Sequence, residues 1–354
     1  NASSTFKWEF TDEDDADLGY TYSRPAIVKL NNGTWAAVFG NGYNNTVADG
    51  HASTTGDAAL YIVNLHTGAL IKKISTETGV NEDPTNQARP NGLATVAPVD
   101  LQDDGKVDYI YAGDLFGNMW KFDLNSSNAN QWKLDYRIFG ACEDMTCTPS
   151  EQQPITTRPT VIRHPNGLGQ IVLFGTGKYL EVEDAGVSDG GVQSFYGIWD
   201  KNPNSGSRIK RSELQEQKIL VEQNFTFTNS DGDTFKEPLR VTTDYEVDWK
   251  SKKGWYIDLI SPQADADGEG ERQVTNSLVR NGRLIFTTMI PSVSSDPCVP
   301  DGESWIMEMD AATGARLGYS PFDLNRDYSF TDLDFVTIQI DGVDVEVPRT
   351  GRKT

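Results

Sequence analysis

Cysteine, histidine and positive charge are all scarce in this chain. Three cysteines and three histidines occur in 354 residues, and 31 Lys and Arg face 52 Asp and Glu, a formal net charge of −21. So acidic a chain is a poor ligand for nucleic acid or for an anionic membrane surface, and it favours solubility and cation binding. No apolar run approaches the ~20 residues of a membrane span. No basic-plus-apolar signal peptide opens the chain, and Asn1 follows no Met. We therefore read 1–354 as a mature or excised fragment whose targeting segment lies outside it.

The histidines His51, His66 and His164 are not spaced with carboxylates as a metal set or a triad. G-x-S-x-G, H-E-x-x-H, P-loop and strand-borne G-x-G-x-x-G patterns are missing, and Ser304 in Gly-Glu-Ser-Trp reads as an ordinary strand residue. We expect no enzyme. Cys142 and Cys147 are close enough to staple a loop, which suits an oxidising compartment. Cys298 is left over, as a buried thiol or as the partner of a cysteine elsewhere.

Helical periodicity is nearly absent. The best candidate, Arg211–Val221, reads equally as a turn followed by a strand. Elsewhere short apolar or alternating runs are separated by Asn, Gly, Asp and Ser clusters, the pattern of many short strands. A loose repeat runs through them. Residues 24–28, 34–42 and 59–68 form a first unit, and 92–99, 108–114 and 117–124 a second. A third comprises 158–162, 170–177 and 194–200, and a fourth 276–279, 283–288 and 304–314. Each unit has an apolar strand, a strand ending in a Gly-bearing turn (Phe39-Gly40-Asn41-Gly42, Ala112-Gly113-Asp114, Phe174-Gly175-Thr176-Gly177), and a strand ending near Asp or Asn. Each buries little alone, so stacking around an axis is the economical solution. We expect an all-β fold, a distorted β-propeller with long loop insertions, forming one domain over 1–354. The stretch 200–270 fits poorly and is expected to hold an inserted element.

One stretch carries the chemistry. Asp100-Leu101-Gln102-Asp103-Asp104-Gly105-Lys106-Val107-Asp108 places oxygens at positions one, three, five and nine and glycine at six, as an EF-hand-type calcium loop does. Asp100, Gln102, Asp104 and Asp108 are expected to supply side-chain oxygens. Lys106 is expected to supply its carbonyl, with its side chain pointing away. Without the metal the three acids repel one another and the loop is expected to open. The twelfth position is Tyr111, so water or another residue such as Asp114 is expected to complete the shell. Val107, Tyr109 and Tyr111 alternate with Asp108, Ile110 and Ala112, so the loop runs into a strand. A second candidate loop spans 323–334, with oxygens on Asp323, Asn325, Asp327, Ser329, Thr331 and Asp334. Its defect is Tyr328 at six, where φ > 0 is costly for a bulky residue. Asn229–Asp233 and Asp265–Glu269 read as polar turns.

Residues 100–124 resemble the C-terminal propeller of the PilY/PilC family of type IV pilus-biogenesis factors and tip adhesins of Gram-negative bacteria. So do Pro154-Ile155-Thr156-Thr157-Arg158-Pro159, 174–181 and Gly302-Glu303-Ser304-Trp305, and the likeness runs from about residue 20 to 335. The resemblance implies a modified propeller holding one Ca2+ through Asp100, Gln102, Asp104, the Lys106 carbonyl and Asp108. Gln102 stands where the family often has Asn or Asp. The resemblance also implies a cell-surface, pilus-associated or outer-membrane-associated place, with pilins, minor pilins or the pilus-tip complex as partners and a host or abiotic surface as target. Its implied roles are the balance of pilus extension and retraction, twitching motility and adhesion. A second resemblance competes: Tyr61-Ile62-Val63-Asn64-Leu65-His66-Thr67-Gly68 looks like a quinoprotein repeat, which implies a PQQ-dependent propeller dehydrogenase. The missing Cys-Cys pair and the low number of repeat units weigh against it.

Overall fold

The computed structural model describes residues 7–47, 50–142, 147–186, 191–201, 208–229, 231–264, 268–292 and 302–354. Cys298 and residues 265–267 lie outside them. The chain gathers into two compact units, one of residues 1–161 and 200–210 and the other of 162–199 and 211–354.

In the first unit the repeat becomes two antiparallel meanders. Strands β1 (Ala26–Lys29), β2 (Trp35–Gly40), β3 (Ala59–Asn64) and β4 (Leu70–Ser75) pair in chain order, as do β5 (Ala97–Val99), β6 (Tyr109–Gly113), β7 (Asn118–Asp123) and β8 (Lys133–Gly140). The predicted three strands of each repeat are present, and the next segment of chain adds an outer fourth. Strand β2 reads as an unbroken apolar run because both of its faces are covered. Ala36 and Val38 join one core with Leu60, Ile62, Ile110 and Phe122. Ala37 and Phe39, on the opposite face, join a second with Ala59, Tyr61 and Val63. Cys142 and Cys147 form the expected disulfide.

The second unit builds its sheets from distant pieces. One sheet runs β12 (Gln215–Gln217), β15 (Gly254–Asp258), β11 (Ser194–Asp200), β10 (Gln170–Gly175), β9 (Thr160–Arg163), with β12 parallel to β15. The other runs β13 (Ile219–Thr228), β14 (Thr234–Thr242), β21 (Gly351–Lys353), β18 (Glu303–Asp310), β17 (Arg283–Ile290), β16 (Leu278–Arg280). A hairpin of β19 (Val336–Ile340) and β20 (Val343–Val347) packs Val336, Ile338 and Val347 with Leu239 and Val241 of β14. Residues 200–270 therefore supply outer strands to both sheets. The candidate helix at 211–221 is one 3-10 turn (Arg211–Glu213) running into strands.

A single device ends the second strand of three repeats: glycine, then a fully buried polar residue, at Gly40-Asn41, Gly113-Asp114 and Gly175-Thr176. A methyl group on these glycines would overlap the Leu93 carbonyl, the Ile155 side chain and the Gln273 side chain respectively, so only glycine admits the neighbouring segment this closely. Asp114, with no exposed surface, is heavily bonded. Its carboxylate accepts five N–H groups: Phe116 N (3.0 Å), Asn118 N (2.8 Å), Asn91 Nδ2 (2.9 Å), Asn118 Nδ2 (2.8 Å) and Trp120 Nε1 (2.7 Å). Asn41 does the same work with an amide, accepting from Ala59 N and Leu93 N and donating to the Asp17 and Asp57 carbonyls.

Replacing Asp114 by Ala strands these donors in a dry site. Asp114→Ala is expected to lower unfolding free energy by about 3 kcal/mol or more, measured by urea titration of the intact chain.

Candidate functional site

The loop 100–108 connects β5 to β6, whose register pairs Val99 with Tyr109. Its shape comes from carboxylates that accept its own backbone N–H groups. Asp100 Oδ1 accepts from Gln102 N (3.1 Å) and Asp104 N (3.3 Å), and Oδ2 from Gly105 N (2.7 Å). Asp104 Oδ1 accepts from Lys106 N (2.9 Å), and Asp108 Oδ2 reaches back to Leu101 N (2.8 Å). Gly105 takes φ +79°, the left-handed turn for which glycine is suited. Behind the loop, buried Val107 donates its N–H to the Lys29 carbonyl, and Asn31 Nδ2 donates to the Val107 carbonyl (2.8 Å). Gln102, Asp103 and Asp104 face solvent, while Asp108 is buried.

Two expectations are corrected here. The Lys106 side chain does not point away: its Nζ lies 2.7 Å from Asp104 Oδ2. A short reach between positions five and seven, in an acidic loop, turns the ammonium inward. This contact holds the Asp104 carboxyl below its ordinary range and raises the Lys106 ammonium. Nor can Asp114 complete a metal shell, since it is fully buried and its oxygens are engaged by five donors.

The 323–334 loop lies in the second unit and repeats the scaffold. Asp323 accepts from Asp327 N (3.2 Å) and Tyr328 N (2.9 Å), as Asp100 does from residues five and six of its loop. Asp327 accepts from Ser329 N (2.8 Å), and Asp334 reaches back to Leu324 N (2.6 Å). Positions four and six have positive φ in both loops: Asp103 +56° and Gly105 +79°, Arg326 +59° and Tyr328 +65°. Tyr328 thus adopts the costly conformation, its N–H fixed on Asp323 and its ring 95% exposed. The difference is length. Asp108 closes its loop at position nine, and Asp334 closes the other at twelve, where it also accepts the Thr331 N–H in a capping box. Asn325 Nδ2 donates to Asp327 Oδ2 (3.0 Å), and the Ser329 hydroxyl bonds Asp327. The Asn229–Asp233 turn is a local hairpin connection, with Asn229 Oδ1 accepting from Asp231 N and Asp233 N.

In donor chemistry both loops suit a hard divalent cation: all side-chain donors are oxygen, and a carboxylate has about four acceptor positions, so bonding the backbone does not exhaust it. In the first, the Lys106 ammonium rests on Asp104. As they stand, no three His, Cys, Asp or Glu side chains among the described residues are gathered closely enough to hold a metal ion.

Short antiparallel meanders, with glycine and a buried polar residue ending the inner strands, define a β-propeller, here a distorted one. The family described as the PilY1 beta-propeller domain matches residues 9–231, and the chain belongs to that family. It is 38% identical over 324 residues to a type IV pilus biogenesis factor PilY1 homolog of Xylella fastidiosa, covering 89% of this chain and 20% of that protein. It is 33% identical over 347 residues to type IV pilus biogenesis factor PilY1 of Pseudomonas aeruginosa, covering 90% of this chain and 28% of that protein. The chain thus spans under a third of either relative, and neither is named as an enzyme. The crystal structure of the Pseudomonas aeruginosa PilY1 C-terminal domain superposes with TM-score 0.79 at 28% identity, covering 98% of this chain and 69% of that one. Among the described residues no helix is long and apolar enough to cross a membrane.

Gly105 has open space where a Cβ would stand, so its φ alone resists substitution. Gly105→Val is expected to cost roughly 1–2 kcal/mol, read as a lowered urea midpoint with an unchanged slope.

Proposed function

We propose that this chain is the calcium-responsive module of a type IV pilus biogenesis factor, working at the cell surface on pilins, minor pilins or the pilus-tip complex. In this reading it biases pilus extension against retraction, and so twitching motility and attachment to host or abiotic surfaces. The observation that carries the reading is the oxygen-lined 100–108 loop with the Lys106 ammonium resting on Asp104.

A bound calcium ion supplies two positive charges to a loop rich in carboxylates. Asp100, Asp104 and Asp108 repel one another and lie on one short loop, so neutralising them favours a single arrangement. Gln102 contributes a neutral oxygen and Lys106 its carbonyl. For the ion to be held, the Lys106 ammonium leaves Asp104. Asp108 links the loop to the sheet, because its N–H bonds the Val99 carbonyl and its own carbonyl accepts from Leu124 N. Ordering the loop therefore orders the start of β6. The 323–334 loop, with the same scaffold, is the second seat.

Titration calorimetry tests this directly. Asp104→Ala is expected to abolish calcium uptake by the first loop, and Lys106→Met to tighten it several-fold by removing the competing ammonium. In cells, Asp104→Ala in the full-length protein is expected to alter surface pilus number or twitching. Unchanged calcium uptake in Asp104→Ala would overturn the assignment.

A further inference from the structure

An asparagine followed by glycine can lose its side-chain amide, because no Cβ shields the next backbone nitrogen from the carboxamide carbon. Five such pairs occur: Asn32-Gly33, Asn41-Gly42, Asn91-Gly92, Asn166-Gly167 and Asn281-Gly282. Whether each reacts depends on access for water, on the bonds holding the amide, and on the bond made by the glycine N–H.

Four of the five are held back. Asn41 and Asn91 have no exposed surface. The Asn41 amide donates to the Asp17 and Asp57 carbonyls, and Gly42 N to the Leu93 carbonyl. Gly92 N lies 2.8 Å from Asn91 Oδ1, but the Asn91 amide is held by the Thr78 carbonyl and Asp114. Asn32 and Asn166 are exposed yet locked in their turns. Their Oδ1 atoms accept from Thr34 N (3.0 Å) and Leu168 N (2.8 Å). The glycines that follow donate to the Leu30 and His164 carbonyls, both at 2.8 Å.

Asn281-Gly282 has none of these locks. It is the two-residue turn between β16 and β17, where Arg280 pairs with Arg283, and both turn residues are exposed. Among the described residues, neither the Asn281 side chain nor the Gly282 N–H makes a hydrogen bond. The one tether is the Gly282 carbonyl, which accepts from Ala311 N (2.8 Å). A Cβ on Gly282 would meet nothing within 4 Å, so the space beside the turn is open. Attack needs the turn to rotate out of its left-handed φ, +53° at Asn281 and +76° at Gly282. Strand β16, three residues at the edge of its sheet, offers little resistance to such local opening.

We propose that Asn281 is a site of spontaneous deamidation and isoaspartate formation. The Gly282 nitrogen gives its proton to water and bonds Asn281 Cγ. The Cγ–Nδ2 bond breaks, and the amide nitrogen leaves as ammonia with a proton from solvent. Water then opens the five-membered imide at either carbonyl, giving aspartate or isoaspartate. Nothing is oxidised or reduced, and the net change is NH2 for OH. Isoaspartate adds a backbone atom to a two-residue turn whose fit to the strand twist is narrow, so β16 loses its register with β17.

Peptide mapping by mass spectrometry tests this on the intact chain, with aspartate and isoaspartate peptides separated by retention. One sample is kept folded at neutral pH for weeks, beside another in urea. In urea all five pairs are expected to convert at comparable rates, since each asparagine precedes glycine. In the folded chain Asn281 is expected to convert at least about tenfold faster than any of the other four, with isoaspartate among its products. Conversion led by another pair, equal conversion at several, or none at Asn281 once the urea sample has converted would each overturn the proposal.

Discussion

The fold depends on a constraint smaller than a strand: a glycine that lets two segments meet, followed by a buried polar group that bonds the backbone there. At Gly113-Asp114 the carboxylate gathers donors from the turn that follows, from Trp120 on β7, and from Asn91 ahead of β5. One side chain thereby ties the approach to β5 and the β6–β7 turn to β7. A charged group in a dry interior is costly unless fully bonded, and five N–H donors meet that condition. At Gly40-Asn41 the same position is neutral, since an amide can donate to carbonyls as well as accept. At Gly175-Thr176 a hydroxyl suffices, with Thr176 Oγ1 accepting from Ser194 N.

The two acidic loops vary one scaffold. In each, the first aspartate bonds the N–H groups of residues five and six, and the closing acid bonds that of residue two. The glycine at six in the first loop and the tyrosine at six in the second reach similar φ, so the side chain at that position does not set the path. The bonds to the first aspartate do. A closing acid at nine delivers the chain directly into a strand, whereas closure at twelve leaves room for a 3-10 turn at Asp332–Asp334 before the β19–β20 hairpin.

Much of this was legible in the sequence, for a physical reason. Strands β1–β3, β5–β7, β9–β11 and β16–β18 follow one another closely, so local alternation and turn residues report them. The spacing of Asp100, Gln102, Asp104 and Asp108 was likewise readable, as was the Cys142–Cys147 pair. What escaped was set by partners far away in the chain. Strands β15 and β21 pair with strands that lie many residues off, and no local pattern encodes such a partner. The inward turn of Lys106 and the saturation of Asp114 are matters of side-chain geometry that spacing does not specify.

Covering both faces of β2 and β3 has a cost that ordinary half-exposed strands avoid. Where one face is wet, a slip of one residue throws apolar groups into water, and burial itself forbids it. On β2 the slip exchanges Ala36 and Val38 for Ala37 and Phe39, apolar for apolar. Hydrophobicity then barely distinguishes right from wrong alignment. The alignment must instead be set at the strand's end, where Gly40 alone fits against Leu93 and Asn41 alone meets its four partners. Those two residues act as the zero mark from which every pairing in the sheet is counted.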